Sequence, residues 1–394
     1  MADKQSIGWS GQNKLLLSPL VILFLFAVSS SCTSRQTYTE ETTNGLKHIH
    51  NIEPFWGTEE KVALEFVRKI GDLNTADERY QLYRPADVAV DAEGNILILD
   101  SGNYQVKKFD NSGRYLSSFG KKGSGPGEFL GATKLDVCPD GDILINDLAI
   151  RVVNVFNSSG RFSRRFSIEG LSPTQVLALR SGEIAVFHVS TSPSENKGQT
   201  PSLISVFDKD GTILRKFAAA RFYEDVPTNF WCNSAAIARD DNDAIYVNFE
   251  SQNRIEKYSA EGHLLFKVDR LLGYPETVAI GKEVHVYDEG PLVAVSFNIF
   301  SAGIQIDHEG RIWSGTLKRQ KDRENKKNSG QARREGGRPE NYMLEIYDNN
   351  GILLERLQRE FYHGQRFRIA GDRFFLVDRD VEMSVFEYKI VNIN

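Results

Sequence analysis

The sequence predicts an all-β protein, a six-bladed β-propeller, and three observations predict it. One pattern (aromatic, three residues, Gly, two further apolar positions) recurs as FDNSGRYLSSF (109–119), FNSSGRFSRRF (156–166), FDKDGTILRKF (207–217), YSAEGHLLFKV (258–268) and YDNNGILLERL (347–357). A second pattern, apolar strand, acidic turn, apolar strand, precedes each copy: DVAVDAEGNILILD (87–100), KLDVCPDGDILIND (134–147), VLALRSGEIAVFHV (176–189), AAIARDDNDAIYVNF (235–249) and GIQIDHEGRIWSG (303–315). The two chain ends carry complementary fragments of one more unit.

Each copy of either pattern is two short strands joined by a tight turn, with Gly where positive φ is needed. Together they make four strands per unit, and the turn glycines at 113, 160, 211 and 262 lie 47, 51 and 51 residues apart. Four-stranded units at that period are propeller blades. The tail FRIAGDRFFLVDRDVEMSVFEYKIV (367–391) supplies three strands, and VALEFVRKIG (62–71) supplies the missing outer one. Closing the ring this way removes exposed sheet edges. Seven blades is the alternative, through ETVAIGKEVHVYDEGPLVAVSFN (276–298). That segment lacks the outer Gly hairpin and reads as a long connection with its own strands.

Units such as PADVAVDAEGNILILDSGNYQVKKFDNSG resemble NHL repeats, and the order of elements is similar to that of bacterial six-bladed propeller lipoproteins. The resemblance implies an NHL/TolB-like propeller over 59–394. It implies no particular activity, because propellers host many.

The amino terminus reads as targeting. Residues 1–31 carry Lys4, Lys14 and the apolar run LLLSPLVILFLFAV, short for a membrane span, which fits a signal peptide. The following SSSC resembles a lipoprotein cleavage site, with Cys32 as the lipidated residue; an ordinary secretory signal and an uncleaved anchor are the alternatives. Residues 32–58, rich in Thr, Ser, Asn and Glu, read as a flexible tether. The expected location is the bacterial cell envelope, lipid-anchored and periplasm-facing or at the outer membrane. Thr33, not Asp, follows the Cys, which favours the outer membrane. Cys138 and Cys232 fall in different repeats and are expected as buried free thiols.

The stretch GKKGSGPGEFLGAT (120–133) looks like a phosphate loop, but a strand rather than a helix follows it and no Gly-Lys-Ser/Thr ends it. It reads as the joint that carries the chain from the rim of one blade to the axis of the next.

Turns inside the two hairpins of each blade fall on one face, and all are short. The long segments 190–201, 218–231, 269–300 and 317–341 fall on the other, where a rigid scaffold presents binding loops. Candidate binding residues there are Arg84, Glu128, Arg221, Tyr223, Trp231 and Arg366, with Tyr83, Phe129 and His363 around the same mouth. Aromatics beside charges suit a partner contact. The basic stretch 318–340, which lacks apolar residues, is expected as a mobile loop.

A net charge of −5 argues against a nucleic-acid binder. The innermost strands offer Asp87, Asp136 and Gln305 to the channel and no histidine, a thin set for a metal. Asp100, Asp147 and Asp378, each ending a second strand, read as turn caps. The sequence therefore points to no catalytic residue, no metal and no cofactor. The expected function is a non-catalytic binding platform for an envelope protein, peptide or glycan. The alternative is a metal-dependent hydrolase or lyase with its site in the channel.

Overall fold

The computed structural model describes residues 35–167, 171–190, 200–223, 226–274, 281–287, 290–296, 298–318, 342–357 and 366–393. The signal segment, Cys32, His363 and the basic stretch 319–340 lie outside the described residues. Among the described residues no helix is long and apolar enough to cross a membrane.

Six antiparallel four-stranded units are present. The first five start at the axis with Asp87–Val90, Ala132–Val137, Leu171–Ala178, Ala235–Arg239 and Ser301–Ile306. They end at the rim with Tyr115–Phe119, Phe162–Ser167, Ile213–Ala219, Leu264–Arg270 and Leu353–Leu357. The sixth runs Phe367–Ala370, Arg373–Asp378 and Ser384–Asn392, and takes Val62–Ile70 as its outer strand. That closure pairs Val385 with Ile70 at one end and Asn392 with Val62 at the other. The innermost strands touch in sequence around a full circle, blade 6 meeting blade 1. The fold is the six-bladed propeller that the repeats predict. The strands Gly281–Tyr287 and Gly290–Ser296 pair only with each other, as a hairpin in the long connection.

The core is a set of slabs between blades. Six apolar clusters occupy the six interfaces: Phe129 and Phe156 between blades 1 and 2, Trp313 and Phe374 between blades 5 and 6, and so around the ring. The repeated Gly hairpin explains itself at these interfaces. Gly160 has φ +81°, and a Cβ there would lie 2.4 Å from Phe119 of the preceding blade. Gly262 stands in the same relation to Phe217 at 2.5 Å. The turn thus needs glycine twice, for its backbone and for the ring packed against it. The residue opening each turn also recurs for a reason. Asp110, Asn157, Asp208 and Asp348 each accept the N–H groups two and four residues on. Such local bonds specify the turn.

The glycine-rich stretch is a joint. Phe129 is fully buried between blades, and Gly120 has φ +92° with the Phe129 ring where a side chain would stand. Glu128 closes the loop on itself, accepting the Gly125 N–H at 2.8 Å beside Lys121 at 3.2 Å.

One expectation is corrected. The segment expected as a flexible tether over 32–58 contains an ordered hairpin, Tyr38–Thr43 with Leu46–Asn51. Its second strand pairs in parallel with Leu264–Arg270, which extends blade 4 to six strands. Composition misled because Tyr38–Thr43 is an exposed edge strand whose Thr and Glu all face solvent, while Ile49 on its partner strand enters the interface of blades 4 and 5. Asn51 locks the hairpin further, donating to Gly351 O and accepting from the Leu353 N–H.

Candidate functional site

The inner strands line the axis, and the sequence read Asp87, Asp136 and Gln305 as the thin makings of a metal site. The structure uses them as fasteners between blades. Asp87 accepts the Leu135 N–H of blade 2 at 3.1 Å and lies 3.8 Å from Lys134 Nζ. Asp136 accepts the Ala178 N–H of blade 3 at 2.9 Å and Arg368 Nη2 at 3.1 Å. Gln305 Oε1 faces the Ile369 N–H at 3.5 Å. Arg368 crosses the axis, donating to Val88 O and Leu135 O at 3.0 and 2.6 Å. Both carboxylates therefore already face a cation, and calcium needs six or more oxygens. These residues do not fit a channel metal.

Toward the long-loop rim the channel becomes cationic. Arg366 precedes the first strand of blade 6, and Arg379 follows Asp378 at the end of the second. Arg84 sits before Pro85 in a left-handed conformation, φ 52°, with its side chain exposed. Burial pushes the Arg366 guanidinium down to about 10; Arg379 adds repulsion, and Asp380, Asp87 and Arg84 contribute less. Arg379 is lowered by burial and then by Arg84. Arg366 Nη1 and Arg379 Nε are buried and have no hydrogen-bond partner among the described residues. Deeper in, Lys134 is lowered by burial, against the pull of Asp87. Burial raises the Glu250 carboxyl to about 7, with Lys134 opposing. The group carries more positive than negative charge, and buried unpaired donors are costly. An arriving carboxylate, sulfate or phosphate would satisfy both deficits.

On the same rim, the crossing from blade 3 to blade 4 forms a ridge. Its short helix Val226–Cys232 is tied to the loop after Phe249, where Gln252 donates to Cys232 O. Asn233 clamps the Arg221 backbone through both its N–H and its carbonyl. The Arg221 side chain is exposed. Tyr223 is half-buried, its N–H donating to Asn229, and burial raises its phenol. Phe222 and Trp231 are 74% and 45% exposed, while Phe230 and Cys232 pack inward. The two aromatics are available at the surface rather than wedged between blades.

The structure thus brings Arg84 and Arg366 together and places Arg221, Tyr223 and Trp231 on one ridge. Glu128 does not join either group, since its carboxylate holds its own loop. Sequence reasoning missed Arg379, Lys134 and Glu250. Arg379 had a signal, following one of the recurring aspartates. Asp147 and Asp378 cap the turns that follow them, accepting from Ala149 and from Asp380 and Val381, and Asp147 also accepts from Leu130 and Gly131, tying the strand end to the chain arriving at the blade. Asp100 departs from the expectation: it makes no cap bond to the turn after it and instead accepts from the Tyr83 N–H and the Asn103 side chain.

A cavity of about 620 Å³ opens on the opposite rim and is lined by all six blades. Its charges neutralise one another: Asp91 with Lys108 at 2.8 Å, Asp240 with Lys257 at 3.5 Å, and Asp241 with Arg180. Between these two places, the arginine mouth is where a bound anion would relieve an existing cost, because its buried donors Arg366 Nη1 and Arg379 Nε lack partners among the described residues.

Residues 63–264, just over half of the chain, match the family described as DUF5128, 6-bladed beta-propeller. The chain belongs to that family. Its DUF5128 region spans blades 1 to 3, the three inner strands of blade 4, and the closing strand from Ala63 onward. The fold is shared with a protein of Bacteroides fragilis described as exported, at 14% identity and TM-score 0.57, covering 88% of this chain and 100% of that one. A DUF4221 member from Bacteroides vulgatus has 12% identity and TM-score 0.59, covering 84% and 99%. None of the curated proteins matches the chain.

Proposed function

We propose that this DUF5128 propeller is a non-catalytic binding platform of the bacterial cell envelope, which captures an anionic group of a protein, peptide or glycan at the arginine mouth. One observation carries the reading: Arg366 and Arg379 lie close to each other and to Arg84, burial and the neighbouring guanidiniums lower both, and each keeps a buried donor without a partner among the described residues. The ridge of Arg221, Phe222, Tyr223 and Trp231 extends the same rim with aromatic surface, the composition favoured at contact sites. The envelope placement rests on the signal-like residues 1–31, on Cys32 as the lipidated residue of an NHL-type lipoprotein, and on the exported neighbour from Bacteroides fragilis.

Calorimetry with a pentaglutamate peptide and with oligogalacturonate tests the mouth. The double variant Arg366→Gln, Arg379→Gln is expected to weaken binding at least about tenfold, and added salt to weaken it in the parent. Equal binding by parent and variant would remove the mouth from the interface. For the ridge, a variant carrying Arg221→Ala, Tyr223→Ala and Trp231→Ala is expected to recover fewer partners from envelope extract. An unchanged set would count against the ridge.

A second reading, a hydrolase or lyase, draws support from Glu250, whose carboxyl is poised near neutrality beside Lys134. Turnover of a bound ligand that disappears in Glu250→Gln while affinity persists would favour it over the platform.

A further inference from the structure

The N-terminal hairpin gathers four side chains that its pairing does not require. His48 and His50 stand two residues apart on the strand Leu46–Asn51, so both rings leave the same face. Glu41 is directly opposite His48 on the neighbouring strand, and Asp269 of blade 4 is opposite His50 on the other side. The two rings are 4.0 Å apart between centroids. His48 Nδ1 and His50 Nε2 lie 3.7 and 3.6 Å from the same oxygen, Glu41 Oε1. One ligand atom from each of Glu41, His48 and His50 falls within 4.8 Å of the others. The remaining ring nitrogens turn the other way: His48 Nε2 and His50 Nδ1 lie 3.1 and 2.9 Å from Asp269 Oδ2.

We propose that Glu41, His48 and His50 bind a divalent transition metal of the zinc class, with Asp269 accepting the second N–H of both imidazoles. Each ring then presents one nitrogen to the metal and one to a carboxylate, the arrangement that fixes tautomer and ring angle in metal sites. Two imidazoles and a carboxylate suit zinc, whose three-ligand sites keep a fourth position for water. Magnesium and calcium prefer all-oxygen shells and are poorly served by this set. Zinc bonds of about 2.0–2.2 Å require the donors to draw in by a fraction of an ångström to about one ångström. The half-buried rings and exposed Glu41 have room to do so. Because Asp269 belongs to blade 4 and the three ligands belong to the hairpin, the metal fastens one to the other. The site stands apart from the arginine mouth and does not depend on its role.

Zinc titration into metal-free full-length protein, read by calorimetry with a competing chelator, tests this. One zinc per chain is expected. His48→Ala or His50→Ala should abolish the binding, and Asp269→Asn should weaken it about 10–100-fold. His263→Ala, a surface histidine elsewhere, should leave it unchanged. Limited proteolysis supplies a second readout: zinc, but not magnesium, should protect the bonds after Arg35 and Lys47 in the parent and not in His50→Ala. The propeller's circular dichroism shows whether each variant still folds. Absent stoichiometric binding, or binding equally strong in His48→Ala, would overturn the proposal and leave the cluster as histidine–carboxylate ion pairs.

Discussion

Arg270 and Glu345 meet 2.7 Å apart across the interface of blades 4 and 5, their side chains 2% and 0% exposed. Nε makes no hydrogen bond among the described residues, so the contact counts as an ion pair. The other guanidinium nitrogens donate to Asn253, Phe300 O and Ser301. Glu345 also accepts from Thr316 and Tyr347. Burial opposes its ionisation, but Arg270 and Arg356 outweigh burial and hold the carboxyl below its ordinary value. Losing Arg270 leaves the buried Glu345 with Arg356 as its one remaining cation among the described residues, so Arg270→Ala should cost about 3 kcal/mol in urea melts, the low end for a broken buried pair. The double change Arg270→Met, Glu345→Leu should cost much less. Equal losses would mean that packing, not charge, governs the site.

A chain ending at Met383 should lose the cooperative thermal transition. It lacks Ser384–Asn392, which leaves Val62–Ile70 with no partner and blade 6 with an open edge. Near-ultraviolet dichroism checks this, and a melt like the parent's would contradict the closure.

Two buried groups should tilt the pH dependence of stability in opposite directions. The folded Glu250 carboxyl is raised to about 7, so its contribution is fully present below the ordinary 4.5 and is lost as pH rises through 7. Glu250→Gln should remove that decline, worth up to about 2 kcal/mol because the residue keeps some contact with solvent. Burial lowers His188 to about 4, with its Nε2 held 2.8 Å from Ser205 Oγ. Its contribution is present above 6.5 and is lost as pH falls toward 4. His188→Gln should flatten that limb. Melting temperatures from pH 4 to 8 for parent and variants decide both signs.

Gly262→Ala should destabilise by at least about 2 kcal/mol, combining left-handed strain with the clash against Phe217. Gly182→Ala meets no neighbour within 4 Å and carries only the strain, so it should cost less. Equal costs would mean that the repeat glycine serves the turn alone.

The blades were legible because local chemistry recurs: a left-handed Gly in the outer turns of blades 1 to 5, an Asx residue opening four of them, and aromatics at 119, 166 and 217 that pack on the next blade's glycine. Closure was legible as well, since the tail ran one strand short and Val62–Ile70 supplied the alternation of a rim strand. The docked hairpin was not legible, because its polar residues resemble those of a linker until a neighbour's edge is seen beside Leu46–Asn51. At the mouth, Arg84 and Arg366 were found as residues that precede inner strands. Arg379, Lys134 and Glu250 arrive from three other blade positions, and only the ring brings them together.

The docked hairpin shortens the leash. Between Cys32 and Tyr38 only a few residues intervene, and at about 3.3–3.6 Å per residue they span roughly 20 Å. If the lipidation proposed for Cys32 holds, the tether ends at the first strand of the hairpin rather than at residue 59, and its contour, not a long linker, sets the reach of blade 4.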